Sequence, residues 1–283
     1  MPNTIALAKN YVALLDEVYK VASVTEGLTS APEVLRAGTN ADTVLYPQVS
    51  MNGLTNYSRA NGYTANAVTV QWKEAQYNYD RGTKIAVDVM DNQESMNIAF
   101  GRVGGELMRT KVAPEADAFT FATLAGKTGV QSEAGTFTDG VDLLEALYTA
   151  TVAMDEEEVD AGRVLYITPT LIKLVNMLET IKSREILGYF SQVVTVPQNR
   201  FYTAITLAAS GVGGYSKASG AKDINFMVVE PGAVIKGDKH IVSDIIPASL
   251  NPDADQDIMK YRKYGIVDVF ANKVKGIYFS YKG

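Results

Sequence analysis

Cysteine is absent from all 283 residues. That removes disulfides, thiolate metal sites and cysteine nucleophiles together, and it fits a chain made in a reducing cytoplasm. Histidine occurs once, as His240, so a multi-histidine metal site is excluded. A Ser-His-Asp triad would have to use that one residue, and no Gly-x-Ser-x-Gly elbow presents a nucleophile. His240 reads instead as a surface residue at the entry to a strand. Positive charge is in deficit, with 26 Lys and Arg against 32 Asp and Glu and a net charge of −6. Dedicated nucleic-acid binding needs clustered cations, so that class is disfavoured. No apolar run approaches the ~18 residues that cross a bilayer. Lys9, Asn10, Asp16 and Glu17 interrupt the N-terminal stretch, so it is not a secretory signal.

What is present is the composition of a folded chain, 47% hydrophobic and 20% charged. The length suits one large domain or two ordinary ones. Leu7, Tyr11, Leu14 or Leu15 and Val18 form one stripe of an amphipathic helix, either packed on its own core or docked on a partner. Ser30-Ala-Pro-Glu33 has capping-box spacing. From Val44 to Val89 the texture changes to strand period: Val68, Val70 and Trp72 alternate with polar residues. Tyr77, Tyr79, Ile85, Val87 and Val89 continue on the opposite parity, which a bulge near Glu74–Gln76 would explain. Asn61-Gly62 is a two-residue turn signal, and Asn52-Gly53 a second. The segment reads as one long, mostly polar β-hairpin.

A helix follows, capped near Asp91 and Glu94 and running past Leu107, with Pro114 kinking it or opening a new one. It ends at Gly126. Thr138-Asp139 caps a helix through Leu143, Leu147 and Val152 to the acidic run Asp155–Glu158. Val164–Ile167 is a buried strand, and Thr168-Pro169 opens a helix over Leu171–Leu178. Phe226–Val229 is a strand stopped by Glu230-Pro231-Gly232. Strands follow at Ile241–Ile246, Ile258–Tyr261, Ile266–Phe270 and Ile277–Tyr281.

The motifs that carry chemistry fail individually. Gly126-Lys127-Thr128 resembles the end of a phosphate loop, but the required upstream glycine is Phe121 and a helix precedes it. Gly211-Val-Gly-Gly-Tyr-Ser216 departs from the dinucleotide fingerprint at its last position. Asp253, Asp255 and Asp257 have the spacing of a calcium loop, yet Ile258 and Tyr264 stand at its glycine and closing-acid positions. Asp155–Glu158 reads as a solvated helix end. The residues therefore give no catalytic, cofactor-binding or metal site, and the chain is read as not an enzyme.

The hairpin carries the functional argument. A globule of this length has a radius of gyration of ~19 Å, while an arm from Val44 to Asn61-Gly62 would extend roughly 55 Å. An isolated two-stranded ribbon is barely stable in water, so it needs a neighbour's surface. Tyrosine is abundant, with 16 copies against one tryptophan, and its apolar ring with a polar tip suits an interface. The expected self-association residues are Asn56, Tyr57, Arg59, Asn61, Gly62, Tyr63, Trp72, Tyr77 and Tyr79.

Several stretches carry a family resemblance: Ala8-Lys-Asn-Tyr-Val12, Leu15-Asp-Glu-Val-Tyr-Lys20, Tyr57-Ser-Arg59, Asp80-Arg-Gly82 and Asp88-Val-Met-Asp-Asn92. Arg109-Thr-Lys-Val-Ala-Pro-Glu-Ala-Asp-Ala118 and Val267-Asp-Val-Phe-Ala-Asn-Lys-Val-Lys-Gly276-Ile-Tyr complete them. Together they span nearly the whole chain, which resembles the major capsid proteins of tailed bacteriophages, the Hong Kong 97-like family, in the form found in phages and prophages of Gram-positive bacteria. The resemblance implies an α+β fold. Its parts would be an N-terminal arm (1–43), an extended loop (44–90), a peripheral domain with a spine helix (91–132), an axial domain (133–240) and returning peripheral strands (241–283).

It also implies assembly through pentamers and hexamers into an icosahedral shell around double-stranded DNA, in the virion, built in the bacterial cytoplasm. The implied partners are other copies of the chain, a separate scaffolding protein, a portal protein and a decoration protein, with DNA held only by weak nonspecific contact and no membrane. No scaffold-like segment precedes the arm, hence the separate scaffold. Some relatives cross-link a loop lysine to a neighbour's asparagine, but Lys73 and Lys84 lie away from the expected tip, which argues against it here. Two other readings compete: an encapsulin-like compartment shell, and an enzyme with an unrecognised carboxylate site.

Overall fold

The computed structural model describes residues 23–30, 36–37, 42–57, 59–60, 67–90, 104–178, 181–209 and 213–283. The expected N-terminal helix, the Asn61-Gly62 turn and the first half of the spine helix lie outside the described residues. The described part is mixed α+β.

Its centre is a five-stranded sheet of β5 (Gln131–Ala134), β13 (Ile277–Tyr281), β10 (Ile224–Val229), β6 (Val164–Ile167) and β7 (Gln192–Thr195), in that spatial order. The six residues of β10, Ile-Asn-Phe-Met-Val-Val, are all buried. Such an unbroken run is what a strand covered on both faces requires. Met227 and Val229 join one core with Phe121, Leu124, Tyr166 and Phe201. Phe226 and Val228 join the other, with Leu143, Leu147, Met154 and Val175.

The first core is built on α1 (Ala113–Ala125), the second on α2 (Gly140–Glu156), α3 (Pro169–Met177) and α4 (Ile181–Gly188). Asp139 starts α2 as the sequence predicts, its carboxylate accepting from the amides of Val141 at 2.7 Å and Asp142 at 3.0 Å. Residues 104–107 are helical and run into α1 through a π-turn, Met108–Val112. In this wider turn Ala113 N–H bonds Met108 O, immediately before Pro114, which has no amide to donate. Pro114 therefore neither breaks the helix nor starts a separate one.

A second sheet joins β11 (Val234–Ile246), β12 (Gln256–Val269) and β4 (Tyr79–Asp88), all antiparallel. The sequence reads two strands between Ile258 and Phe270, whereas β12 is a single strand of 14 residues. Gly265 keeps it continuous past a register shift between Asp238 and His240. A side chain there would meet Asp238 Oδ1 at 2.7 Å and Gly237 O at 2.8 Å. His240 lies on β11 opposite Tyr264 and is exposed.

β11 runs through residue 240, and β13 joins the five-stranded sheet between β5 and β10, not the β11–β12–β4 sheet. The parity slip after Glu74 is also not a bulge. The segment 44–89 contains two different partners: β2 (Thr43–Met51) and β3 (Val68–Gln76) pair with each other, while β4 belongs to the second sheet. Tyr77 and Asn78 carry the chain between them.

Residues 23–30 are pinned to this body. Asp117 on α1, fully buried, accepts from Ser23 Oγ at 2.9 Å and Thr25 Oγ1 at 2.7 Å and from the amides of Val24 and Thr25, and pairs with Arg200 at 3.1 Å. Lys236 Nζ donates to Thr25 O and Thr25 Oγ1, each at 2.7 Å. Burial, and secondarily Lys263, brings the Lys236 ammonium down to a pKa of about 8. The folded chain releases this proton near pH 8, whereas an unfolded lysine holds it to about 10.4. Between those values the unfolded state binds more protons, so stability rises with pH. The neutral amine keeps two N–H donors for its two acceptors. Urea unfolding should show a gain of roughly 2 kcal/mol between pH 8 and 10 that Lys236→Met removes. Above pH 10 the half-buried Tyr215 hydroxyl, raised to about 12, reverses the trend. Equal profiles for both chains would refute this assignment.

Candidate self-association surface

The β2–β3 ribbon has two unlike faces, and its register defines them. Met51 faces Val68, Val49 faces Val70 and Pro47 faces Trp72. With a period of two these six residues share one face. It is open: Val49 is 53% exposed, Met51 67%, Val68 61%, Val70 56% and Trp72 48%. The other face pairs Ser50 with Thr69 and Gln48 with Gln71, and near the base Val44 with Ala75. The expectation of a mostly polar hairpin is thus half right, since one face is apolar from Pro47 and Trp72 outward. Its β-branched and aromatic residues suit a pleated surface that something covers. Pro47 lies beyond the last pairing of β1 (Arg36–Ala37) with β2, at Leu45, where no described residue pairs with the outer edge of β2. The outer edge of β3 is likewise unpaired among the described residues.

The base of the ribbon is fixed. Val44, Tyr46 and Ala75 are buried, and Tyr46 and Ala75 pack with Ile235 and Ile266. The Tyr46 ring meets Phe270 edge-on at 5.1 Å. Asn78 imitates a peptide link, its Nδ2 donating to Val267 O at 2.8 Å and its Oδ1 accepting from Val267 N at 3.0 Å. Tyr77 lies 4.8 Å from Tyr264, and Lys239, turned out by the β11 register shift, sits 5.0 Å over the Tyr77 ring. Burial, then the neighbouring Tyr264, raises the Tyr77 hydroxyl above its ordinary range. An exposed apolar patch of Val49, Met51, Val68 and Val70 is therefore presented from a rigid root.

The expected surface residues divide accordingly. Trp72 stands on the open face. Asn56, Tyr57 and Arg59 are exposed beyond the strand ends, with Tyr57 at 60%. Asn61, Gly62 and Tyr63 lie outside the described residues. Tyr77 belongs to the root. Tyr79 does not belong to the surface at all. It is 5% exposed, packs on Phe119 at 5.0 Å and points its hydroxyl at Glu115. Its alternation continues that of the ribbon, but β4 lies in the body beside β12. There Arg81 clamps Glu115 at 2.6 Å and Ala208 O at 2.7 Å. Paired strands extend only from Thr43 to Met51 and Val68 to Gln76, about 30 Å, shorter than the arm expected from the turn signal. Asn52-Gly53 is not a tight turn, since Gly53 does not take the positive φ a type I′ turn needs.

Val49, Met51, Val68 and Val70 are the residues the sequence reading missed. The signal was the pair of alternations Pro47-Gln-Val-Ser-Met51 and Val68-Thr-Val-Gln-Trp72, which match when laid antiparallel.

The described residues define a class: a mixed α+β body with a rigidly rooted, projecting ribbon. The particular architecture matches the fold of phage capsid structures. The chain is similar to the capsid structure of cyanophage P-SCSP1u with a TM-score of 0.63 and 16% identity, over 93% of this chain and 88% of that one. It is similar to the mature capsid of bacteriophage PhiM1 with a TM-score of 0.62 and 13% identity, over 92% and 87%. A virus-like particle from Pyrococcus furiosus aligns with a TM-score of 0.59 and 11% identity, over 97% and 99%. No family model and no curated protein matches in sequence.

Proposed function

We propose that this chain is a major capsid protein, a structural subunit without catalytic activity that assembles through pentamers and hexamers into an icosahedral shell enclosing double-stranded DNA. The single observation that carries the reading is the open apolar face of the ribbon on a capsid fold. Covering Val49, Met51, Val68 and Val70 contributes on the order of 1 kcal/mol each, and a neighbouring copy supplies the cover. The unpaired edge of β3 adds a row of backbone donors and acceptors for the same neighbour. The net charge of −6 suits a lining that holds DNA only weakly. On this reading a separate scaffolding protein, a portal and a decoration protein are the other partners. The shell is built in the bacterial cytoplasm and belongs to the virion.

A second reading, an encapsulin-like compartment shell, is supported by the near-complete mutual coverage with the Pyrococcus furiosus particle. Electron microscopy of the chain co-expressed with its neighbouring genes tests both. Uniform shells are expected, and DNA filling in the presence of the packaging genes favours the capsid over the compartment. A stable monomer under all conditions would remove both readings.

A further inference from the structure

The helical layer on the five-stranded sheet carries two exposed apolar patches of opposite charge. The first is a stripe along α2. Val141, Glu145, Tyr148 and Val152 follow one another at spacings of four, three and four, so they share one side of the helix. All four are exposed, while the opposite side, with Leu143, Leu147, Ala150 and Met154, is packed in the core. Contiguous apolar side chains on the solvent side mark an interaction surface more than scattered ones do. The 17 residues of α2 include Asp142, Glu145, Asp155 and Glu156 but no lysine or arginine. Asp155 is taken by Arg163 at 2.6 Å. Among the described residues, Asp142, Glu145 and Glu156 form no ion pair.

The second patch is the corner where α3 ends and α4 begins. Met177 and Ile181 stand there 79% and 76% exposed. Lys173 lies one turn before Met177, and Lys182 and Arg184 follow Ile181, all three exposed. None of these cations forms an ion pair among the described residues. In the sequence from 169 to 188 they outnumber the acids Glu179 and Glu185. Neither patch suits its own copy across a two-fold axis. Such a contact would set the α2 carboxylates against one another, or the corner cations against one another, and like charges brought together weaken an interface. Each patch suits the other, with apolar side chains on both and opposite charge around them.

We propose that the α2 stripe of one copy docks on the α3–α4 corner of the next. Val141, Tyr148 and Val152 cover Met177 and Ile181, and Glu145 faces Lys182 and Arg184. A contact between two different patches is heterologous, so it repeats head to tail and closes into a ring where the rotation allows. The inference rests on the shell reading, which requires each subunit to meet copies of itself, but it uses surfaces separate from the ribbon.

Charge reversal on the full chain tests it, with sedimentation velocity reading assembly and circular dichroism reading the fold. One variant is Glu145→Lys, and the other combines Lys182→Glu with Arg184→Glu. Under the conditions in which the wild type assembles, each variant alone should stay folded and need about tenfold more protein to assemble. Mixed in equal amounts, the two should co-assemble, because the new lysine on α2 of one meets the new carboxylates at the corner of the other. Recovery on mixing also shows that the contact lies between copies and not within one. Assembly of both variants at the wild-type concentration, or a mixture that assembles no better than its parts, overturns the contact and leaves the shell reading in place. A wild-type chain that stays monomeric under all conditions removes the shell reading and the contact with it. If Glu145→Lys fails to fold, Val152→Lys on the same stripe takes its place with the same expectations.

Discussion

Val70→Asp should give a folded, soluble chain that does not assemble. Val70 is more than half exposed and lies opposite Val49 in the middle of the open face. In the free subunit the new carboxylate stays in water, and an exposed substitution of this kind shifts stability by about 0.5 kcal/mol or less. In the proposed assembly the same carboxylate loses water against the neighbour's covering surface, and an unpaired buried charge costs several kcal/mol per contact. That exceeds the roughly 1 kcal/mol the valine contributes there, and the deficit recurs at every subunit. Sedimentation velocity beside circular dichroism checks both halves, with loss of the shell peak and a thermal midpoint within a few degrees of wild type expected. Gln71→Asp, on the opposite face of the same strand, is the control and should assemble. Shells formed normally by Val70→Asp would show that the apolar face is not a contact. Loss of folding would show that the ribbon belongs to the core.

The largest effect on stability is expected at Asp117→Ala. This fully buried carboxylate collects two hydroxyls, two amides and the Arg200 guanidinium from two distant parts of the chain, residues 23–25 and Arg200. Removing it leaves buried donors without their acceptor, and breaking one side of a buried ion pair costs about 3–5 kcal/mol. For a chain of this size the melting midpoint should fall by roughly 10 °C. Hydrogen exchange should localise the damage, with the amides of Val24 and Thr25 losing protection while those of β10 keep it below the transition. Asp117→Asn retains one acceptor oxygen and should recover part of the loss. An unchanged midpoint in Asp117→Ala would mean that the anchoring of residues 23–30 rests on Lys236 and Ser30 alone. Ser30 is itself tied to β11, its hydroxyl donating to Val234 O at 2.8 Å.

The two substitutions probe features of opposite legibility. The ribbon strands could be read from alternating valines, but Asp117 had no local signal. It lies within Ala-Pro-Glu-Ala-Asp-Ala, which reads as an ordinary helix turn with acids at its positive end. Only the packed structure shows that Glu115 and Asp117 both turn inward and find Arg81 and Arg200. Tyr79 shows the converse, since a strand-period tyrosine next to the ribbon reads as a surface residue and lies in the core.

The sequence by itself determined the elements whose causes are local. The Asp139 cap, the proline that opens α3, the short buried runs of β6 and β10, and the strand character of β2, β3 and β4 each depend on residues within a few positions of one another. So does the exclusion of thiol and multi-histidine chemistry, which needs only a count. Tertiary structure alone decided the partners: that β4 leaves the ribbon for β12, and that β13 enters the five-stranded sheet. Alternation fixes which side chains share a face but carries no information about which strand lies alongside. That choice is made by burying whole faces at once, between residues as far apart as Tyr79 and Gly265.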